Sequence, residues 1–559
     1  MFGLKTQKRS YLYSVNPNGK TLFWLVGLVV IVVVAIALSI TPDQPWLNVG
    51  GFNQFWGFWV AAKTPDLSTS FLQLTTVSTL QTLAFAICGT VTSLGLGFGF
   101  GVVASEVWWQ AIAPRWSWWL SRAVRTGLTV PRSLHEALWG LLCVELFGLD
   151  SLVGIVAIAI PFGAIAAKVF SELMDEVPRH SFEALRCGGA KPIAAFVYGI
   201  LPAVSGDLLS YGLYRFDCAI RSAAVLGIIG AGGLGYQIRL SLQSLRYEQL
   251  WTLLGALFLL TAMGDFWSAA LTRRQTNVVS RSKFRSKIPF NSIGYGAIAA
   301  VVITTSFIWV GADYGKLLSP VTYSRLGNLL VAAWPPDWLT LGTAWQEAGE
   351  VMLDTMLMSV VAIAIAGLGG VCFAFLGSQK LGQNDTSNFA SSILPRARTI
   401  AVRGFLLVER AVPEPVWALL CLFVLFPGIL PGAIALGIHN MGVLGRLMAE
   451  VVDNIDQRPI QALRHTGASA TAIFFYGVLP QTLPQFLGYI LYRWEVCLRA
   501  TIVVGLVGAG GLGRIIAEAL SSFHYAGLAS ALIALFALTL AADTLSQVLR
   551  RHLQANAAE

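Results

Sequence analysis

Long apolar runs separated by short polar loops dominate the pattern of this 559-residue chain. A helix that crosses a bilayer needs about 20 consecutive, mostly apolar residues. Such runs occur at 22–40, 77–104, 131–148, 151–170, 202–228, 249–271, 294–312, 351–377, 411–427, 429–447, 480–506 and 527–547. The pattern therefore predicts about twelve transmembrane helices, six in each half of the chain.

The second half of the chain repeats the first half. Residues 125–273 align with residues 403–551 at a constant shift of 278 positions, and 13 of 25 residues are identical between 211–235 and 489–513. Other identical pairs at this shift are Arg125/Arg403, Arg132/Arg410, Glu136/Glu414, Trp139/Trp417 and Asp265/Asp543. Upstream, Thr82 and Thr355 match at a shift of 273 positions. Because each half has an even number of predicted spans, both halves should enter the membrane in the same direction, which gives a parallel repeat.

Composition supports a membrane protein. The chain is 55% hydrophobic and only 12% charged, whereas soluble proteins are about 45–50% apolar and about 25% charged. This balance excludes a soluble enzyme, a disordered protein and a disulfide-rich secreted domain. The seven cysteines form no CxxC motif, so we expect neither a disulfide framework nor a metal site. The net charge of +9 lies in short loops between spans and does not indicate nucleic-acid binding.

Basic residues in the loops predict the orientation. The amino end, the segment 272–288 and the carboxyl end are basic, and counting spans from a cytoplasmic start returns the chain to the cytoplasm at all three places. The loops 41–76 and 312–350 are nearly neutral and should lie outside. The first run, 22–40, is longer than the core of a signal peptide, which favours an uncleaved anchor. Both termini should therefore be cytoplasmic.

The spans and the repeat predict six segments. They are an N-terminal anchor helix and external loop (1–74), a first membrane domain (75–272), a basic cytoplasmic linker (273–290), a linking transmembrane helix and external loop (291–349), a second membrane domain (350–550) and a C-terminal tail (551–559).

A polar, helix-favouring loop lies between the fourth and fifth spans of each half, at 171–202 and 449–480. A glycine allows the chain to reverse between the loop and the membrane, and a Leu-Pro pair fixes the start of the next span. From the residues alone, the loop is either an element that couples to a partner or a plain connector.

The motif in these loops resembles the EAA loop of ABC-importer permeases. The matching residues are Glu183, Ala184, Gly189, Leu201 and Pro202 in the first copy, and Gln461, Ala462, Gly467, Leu479 and Pro480 in the second. The neighbouring LYRF and VGAGGLG segments resemble the phosphonate-type permeases in particular. The resemblance covers about 75–272 and 350–550, each similar to a whole permease subunit. The departures are Gln461 in place of the acidic residue, leucine in place of the second alanine, and Gly199 and Gly477 where isoleucine is frequent.

The resemblance implies an all-α membrane protein with two tandem six-helix halves of the type I ABC-importer permease fold. It also implies that the two loops are coupling helices that dock on two copies of an ATPase subunit. The chain would then move a small phosphorus oxyanion across a bacterial inner membrane, with phosphonate as the first choice. An extracytoplasmic solute-binding protein would deliver the oxyanion to it. The chain has no G-x4-GK[ST] motif, so ATP would be bound by the partner subunits and no cofactor by this chain, which we expect not to be an enzyme.

A glycine-rich motif follows each fifth span. It formally matches a dinucleotide fingerprint, but such a site requires a preceding strand and a following helix in a βαβ unit. Here the motif follows an apolar span, so we expect a helix break or gate. Its glycines are Gly230, Gly232, Gly233 and Gly235, and Gly508, Gly510, Gly511 and Gly513.

Each fifth span carries three charges near the middle of the bilayer. They are Arg215, Asp217 and Arg221 in the first half, and Arg493, Glu495 and Arg499 in the second. A charge there costs about 2.5–3.5 kcal/mol, so it should face the protein interior or water. Because the spacing is i,i+4, each carboxylate can pair with the arginine that follows it. The remaining arginine of each half either attracts the oxyanion in a translocation pathway or belongs to a buried charge network.

Other functions remain open at this point. The same fold could import phosphite, phosphate or a methionine-like substrate. A proton-driven carrier would need carboxylates that exchange protons, and the arginine near each candidate should keep it ionised. A membrane enzyme is disfavoured because no nucleophile, base and metal-ligand constellation occurs in the sequence.

Overall fold

The structure, a computed structural model, describes residues 46–112, 115–281, 290–341, 345–378 and 389–556. These ranges are mainly helical, and the extended pairing within them is an isolated bridge between Leu47 and Leu425. The chain divides into two compact units, residues 57–331 and residues 1–56 together with 332–559. The all-α membrane class predicted from the apolar runs is confirmed.

The helices are numbered along the chain. The first fourteen are α1 (Phe52–Ala61), α2 (Thr69–Ala104), α3 (Glu106–Ile112), α4 (Ser117–Gly127), α5 (Thr129–Ser133), α6 (Glu136–Phe147), α7 (Ser151–Glu176), α8 (His180–Cys187), α9 (Pro192–Gly199), α10 (Leu201–Leu226), α11 (Gly233–Gln243), α12 (Tyr247–Arg281), α13 (Phe290–Val310) and α14 (Pro320–Ala332). The others are α15 (Trp345–Gly377), α16 (Phe389–Ala411), α17 (Glu414–Val424), α18 (Ile429–Asp453), α19 (Gln457–His465), α20 (Ala470–Ala472), α21 (Leu479–Val504), α22 (Gly511–Ser521) and α23 (Tyr525–Asn556). Turns of π-helix lie at Gly227–Ala231, Ile473–Val478 and Gly505–Ala509.

Five helices in the described ranges are long and apolar enough to cross a membrane, namely α2, α7, α12, α15 and α23. Two bent helix pairs raise this number to seven if each pair is one span: α9 with α10, and the helical stretch Ala470–Ala509 with α22. The span predicted over 294–312 coincides with α13, the 21-residue helix Phe290–Val310. The anchor helix predicted over 22–40 lies outside the described residues, as does much of the basic linker 273–290.

The third span of each half differs from its prediction. The stretches 131–148 and 411–427 contain the 12-residue helix α6 and the 11-residue helix α17, which cover only about 17 Å at 1.5 Å per residue. Each follows a more polar helical segment, α4 with α5 in the first half and α16 in the second. Helix α16 carries several arginines, and these charges conceal it from a search for uninterrupted apolar runs.

A tryptophan joins the two segments of each third span. The Trp139 indole Nε1–H donates to the carbonyl of Pro131 at 3.1 Å, and the Trp417 indole donates to the carbonyl of Glu409 at 3.2 Å. Both donors and both acceptors are related by the shift of 278 positions. The sequence repeat is therefore also a repeat of contacts.

The second and fourth spans of each half pack closely through glycines. A Cβ atom on Gly97 of α2 would lie 2.6 Å from the Cβ of Ala166 on α7. In the second half, a Cβ atom on Gly370 of α15 would lie 3.1 Å from the Cβ of Leu444 on α18. Small residues let membrane helices approach in this way, since apolar burial gives little drive to associate inside a lipid bilayer.

Candidate functional site

The first EAA-like loop folds into the two short helices α8 and α9. Helix α8 ends in a turn where Gly189 has φ of +84° and the N–H of Ala190 donates to the carbonyl of Leu185 at 3.0 Å. This left-handed conformation is the usual reason for glycine at a helix end. In α9, a Cβ atom on Gly199 would lie 3.0 Å from the Cα of Phe182. The loop is therefore a compact pair of helices and more than a plain turn.

The second EAA-like loop repeats the turn. Gly467 has φ of +77°, and the N–H of Ala468 donates to the carbonyl of Leu463 at 3.1 Å. Helix α19 precedes the turn, and α20 with a π-helical turn follows it. Gly477 packs against α19, because a Cβ atom there would lie 3.1 Å from Cδ1 of Leu463. Close packing explains why glycines occupy positions 199 and 477 in place of isoleucine.

The motif residues lie at the surface and at the starts of the fifth spans. Exposed side chains are those of Glu183 and Ala184 on α8 and of Gln461 and Ala462 on α19. Leu201 and Pro202 begin α10, and Leu479 and Pro480 begin α21. Two aromatic residues at equivalent positions, Tyr198 and Tyr476, are each 73% exposed. Each loop thus presents an exposed helix and an exposed tyrosine in its own unit.

Each fifth span ends in a glycine break, residues 227–235 in the first half and 505–513 in the second. Left-handed φ values occur at Gly230 (+125°), Gly232 (+98°), Gly233 (+71°), Gly508 (+103°), Gly510 (+88°) and Gly511 (+65°). A Cβ atom on Gly513 would lie 2.6 Å from the carbonyl oxygen of Ile502, and one on Gly235 would collide with the carbonyl of Ala224. Helix precedes each break in place of the strand that a dinucleotide site requires.

A threonine from the second span caps the helix that follows each break. The Oγ1 of Thr82 on α2 accepts from the N–H of Leu234 at 2.8 Å, and the Oγ1 of Thr355 on α15 accepts from the N–H of Leu512 at 2.9 Å. The first N–H groups of a helix have no partner within it, so a side-chain acceptor stabilises that end. These bonds attach α11 to α2 and α22 to α15.

Two of the three charges of the first fifth span, Arg215 and Asp217, are buried within their own unit, and Arg221 is partly buried. Arg221 Nη2 donates to Asp217 Oδ2 at 2.8 Å, which is the pair that the sequence spacing predicts. The guanidinium of Arg215, which is 7% exposed, lies 4.3 Å from the ring centroid of Phe162 on α7. This cation–π contact attaches α10 to α7.

The second half holds its charges differently. Arg493 Nε donates to Oδ1 of Asn440 on α18 at 2.5 Å, at the position where the first half has an aromatic ring. Arg550 Nη2, on α23, donates to Glu495 Oε1 at 2.5 Å, whereas Arg499 Nε donates to the backbone carbonyl of Glu495 at 3.2 Å. The Glu495 carboxylate therefore accepts a bond from Arg550 of another helix, a contact that the i,i+4 spacing to Arg499 does not predict.

Two clamps at the ends of the fourth spans were not recognised in the sequence. The first clamp is Ser105, Arg125 and Asp175, and the second clamp is Ser378, Arg403 and Asp453. In each, a carboxylate accepts one bond from an arginine and one from a serine. The aspartates align at the shift of 278 positions and are therefore detectable, but the arginine lies 50 residues away and the pairing needs the fold.

The charged clusters do not indicate a metal centre. Within the described ranges, no group of three or more His, Cys, Asp or Glu side chains is placed to hold a metal ion.

Comparisons with known proteins identify the repeat. The profile described as "Binding-protein-dependent transport system inner membrane component" matches twice, over residues 97–277 and 390–556. The Phosphate-import permease protein PhnE of Mycolicibacterium smegmatis is 25% identical over 429 residues, 77% of each chain. The Phosphite transport system permease protein PtxC of Stutzerimonas stutzeri is 31% identical over 265 residues, 47% of this chain and 90% of its own.

A shorter relative also matches. It is a chain from Escherichia coli K12 that carries the name of a cryptic phosphonate transport system permease protein, PhnE2. It is 40% identical over 119 residues, 21% of this chain and 98% of its own. No solved structure matches significantly.

The glycine breaks give the first prediction. Valine at Gly232 or Gly510 would occupy an extended backbone conformation with positive φ, which is essentially restricted to glycine and costs about 1–3 kcal/mol for other residues. We expect each variant to insert into the membrane at normal yield and to lose transport, measured as uptake in cells. The controls are Gly206→Ala and Gly488→Ala, because a Cβ at either meets nothing within 4 Å. Normal uptake by both valine variants would show that the breaks are only turns.

The buried ion pairs give the second prediction. Removing one partner of a buried pair costs about 3–5 kcal/mol because the other charge is left behind. Arg550→Gln should therefore lower the unfolding temperature in detergent, and adding Glu495→Gln should restore most of the loss. The matched test in the first half is Arg221→Gln with Asp217→Asn. Rescue of Arg550→Gln by a change at Arg499 instead would contradict the assigned pairing.

Proposed function

The chain belongs to the family of binding-protein-dependent transport system inner membrane components, and on that premise we propose that it is the permease of an ATP-driven ABC importer for a small phosphorus oxyanion. It is a multi-pass membrane protein. In this proposal one copy supplies both membrane halves and works with two ATPase subunits and an extracytoplasmic binding protein. Both termini lie in the cytoplasm, and ATP is bound by the partner subunits.

The observation that carries the proposal is the pair of matching EAA-like loops in one chain. Both loops form an exposed helix, a glycine turn of the same hydrogen bonding and an exposed tyrosine. Two such surfaces provide one docking place for each of two ATPase subunits. Closure of the ATPases on ATP would move both loops and drive alternating access of the membrane halves.

The substrate class rests on chemistry that the relatives share. Their names refer to phosphate, phosphite and phosphonate, which are all tetrahedral phosphorus oxyanions. We propose phosphonate, with phosphite and phosphate as the alternatives. None of these three relatives is named for a methionine-like substrate. An embedded arginine in each half, Arg215 and Arg493, favours an anion on electrostatic grounds, although both contact groups of their own unit.

Reconstituted transport tests this function. Proteoliposomes containing the chain, its ATPase subunit and its binding protein should take up radiolabelled methylphosphonate only when ATP is supplied. Unlabelled phosphite and phosphate should compete if the site accepts the oxyanion core, and methionine should not. An ATPase subunit lacking its P-loop lysine is the matched control. Uptake driven by a proton gradient without ATP would contradict the proposal, and a native mass with two copies of this chain would contradict the copy number.

The unequal motif residues give a further prediction. Glu183 is charged and exposed, whereas the equivalent Gln461 is neutral and exposed. Glu183→Ala should weaken binding of the ATPase subunit about fivefold, which corresponds to about 1 kcal/mol. Gln461→Ala should change it less. Binding is measured by titrating the ATPase subunit onto the purified chain in nanodiscs, and equal losses would show that the charge at position 183 has no role in docking.

A further inference from the structure

The clamps and the threonine caps lie far apart on the same helix in each half, the clamp at its end and the threonine well inside it. In the first half, Ser105 follows the last residue of α2, and Thr82 lies 23 positions earlier. That separation is about 35 Å along a helix. The second half has the same order on α15, with Ser378 after its last residue and Thr355 again 23 positions earlier.

The first clamp joins three helix ends through one carboxylate. Asp175, in the last turn of α7, accepts from Arg125 Nη2 at 2.5 Å and from Ser105 Oγ at 2.8 Å. It also accepts from the N–H groups of the two residues after Ser105, both at 3.2 Å. Arg125 Nε donates to the last carbonyl of α2 at 3.0 Å. The ends of α2, α4 and α7 therefore share one network of charge-assisted bonds.

The second clamp repeats three of these contacts with the same atoms. Arg403 Nη2 donates to Asp453 Oδ2 at 2.6 Å, Ser378 Oγ donates to Asp453 Oδ1 at 2.8 Å, and Arg403 Nε donates to the last carbonyl of α15 at 3.1 Å. Asp453 is the last residue of α18, and α19 begins four positions later. Each clamp thus lies where the fourth span gives way to the EAA-like loop.

The helices between the clamp and the cap are too closely packed to bend independently. A Cβ atom on Gly101 would lie 2.9 Å from the Cβ of Phe170, and one on Gly89 would lie 2.9 Å from the Cβ of Ile158. In the second half, a Cβ atom on Gly437 would lie 2.9 Å from Cγ2 of Ile365. Close-packed interfaces transmit displacement instead of absorbing it.

We propose that the pair α2–α7 in the first half, and α15–α18 in the second, is a rigid lever that carries movement of the EAA-like loop to the glycine break. The clamp fixes the loop end of the lever, and the threonine cap attaches a point about 35 Å farther along it to the helix after the break. The clamp residues and the threonines are positioning residues, since they act through the helices. This inference rests on the proposed function, because the loops are driven only if an ATPase docks on them.

Neutralising both clamps tests the loop end of the lever. The variant Asp175→Asn with Asp453→Asn leaves α8 and α19 unchanged, so the ATPase subunits should still bind and hydrolyse ATP at a rate close to that of the unmodified protein. Movement at the break is measured in each half with Ile229→Cys or Val507→Cys, as the change in labelling by a membrane-impermeant maleimide when ATP and vanadate are added. We expect this change to fall about tenfold, the scale of a typical coupling energy between sites.

Changes at the threonine caps provide a second variant. Thr82→Val with Thr355→Val removes both caps while keeping the side-chain shape, and should give the same loss of the labelling change with ATP hydrolysis retained. Thr→Ser at both positions keeps the acceptor and should restore the change. Glu518→Gln, which removes the exposed pair of Arg514 and Glu518, is the control for loss of an ion pair as such.

The possible outcomes distinguish failure of the proposed lever from failure of the proposed importer function. A full labelling change in clamp and cap variants that still bind the ATPase subunits would contradict the lever proposal. It would not contradict the proposal that the chain is an importer. Failure of the ATPase subunits to bind the unmodified chain would overturn the proposed function itself. Loss of the labelling change in the valine variants with recovery in the serine variants would support the lever, because a general loss of stability would not follow the hydroxyl group.

Discussion

Each half of this protein depends on the glycine-mediated packing of its second helix against its fourth. The EAA-like loop continues from the end of α7 or α18, and the capped helix after the glycine break is attached to α2 or α15. A side chain at Gly97 would push the first pair apart, since its Cβ would lie 2.6 Å from that of Ala166. The EAA-like loop and the capped helix would then no longer be attached to one closely packed helix pair.

The two halves repeat the same backbone features, but their embedded arginines have different contact partners. Arg215 stacks on Phe162, whereas Arg493 donates to Asn440 at the equivalent position. A charge in a membrane helix is tolerated when some partner replaces its hydration, and an aromatic face or an amide oxygen can each do so. Each embedded arginine therefore needs a partner, but that partner can be either an aromatic ring or an amide oxygen.

The sequence predicted the features whose determinants lie close together along the chain. The repeat, the glycine turns at Gly189 and Gly467 and the Asp217–Arg221 pair depend on a few neighbouring residues, and the structure has them as expected. Contacts between distant segments were missed, because spacing along one helix says nothing about a partner on another. Glu495 thus pairs with Arg550, 55 positions away. The bounds predicted for the third spans were wrong, because a search for apolar runs does not detect an amphipathic helix that carries charges.

Fusion of the two halves explains which features remain identical and which diverge. In a chain that contains both halves, a change in one loop is not imposed on the other, as it would be in a pair of identical subunits. The clamps, the threonine caps and the left-handed glycines are the same in both halves because backbone geometry admits few replacements. Glu183 and Gln461 can differ because both lie at an exposed helix position, where packing within the half does not fix the residue. The residues that are identical in both halves form the framework that each half needs. The residues that differ lie where each half contacts its own surroundings.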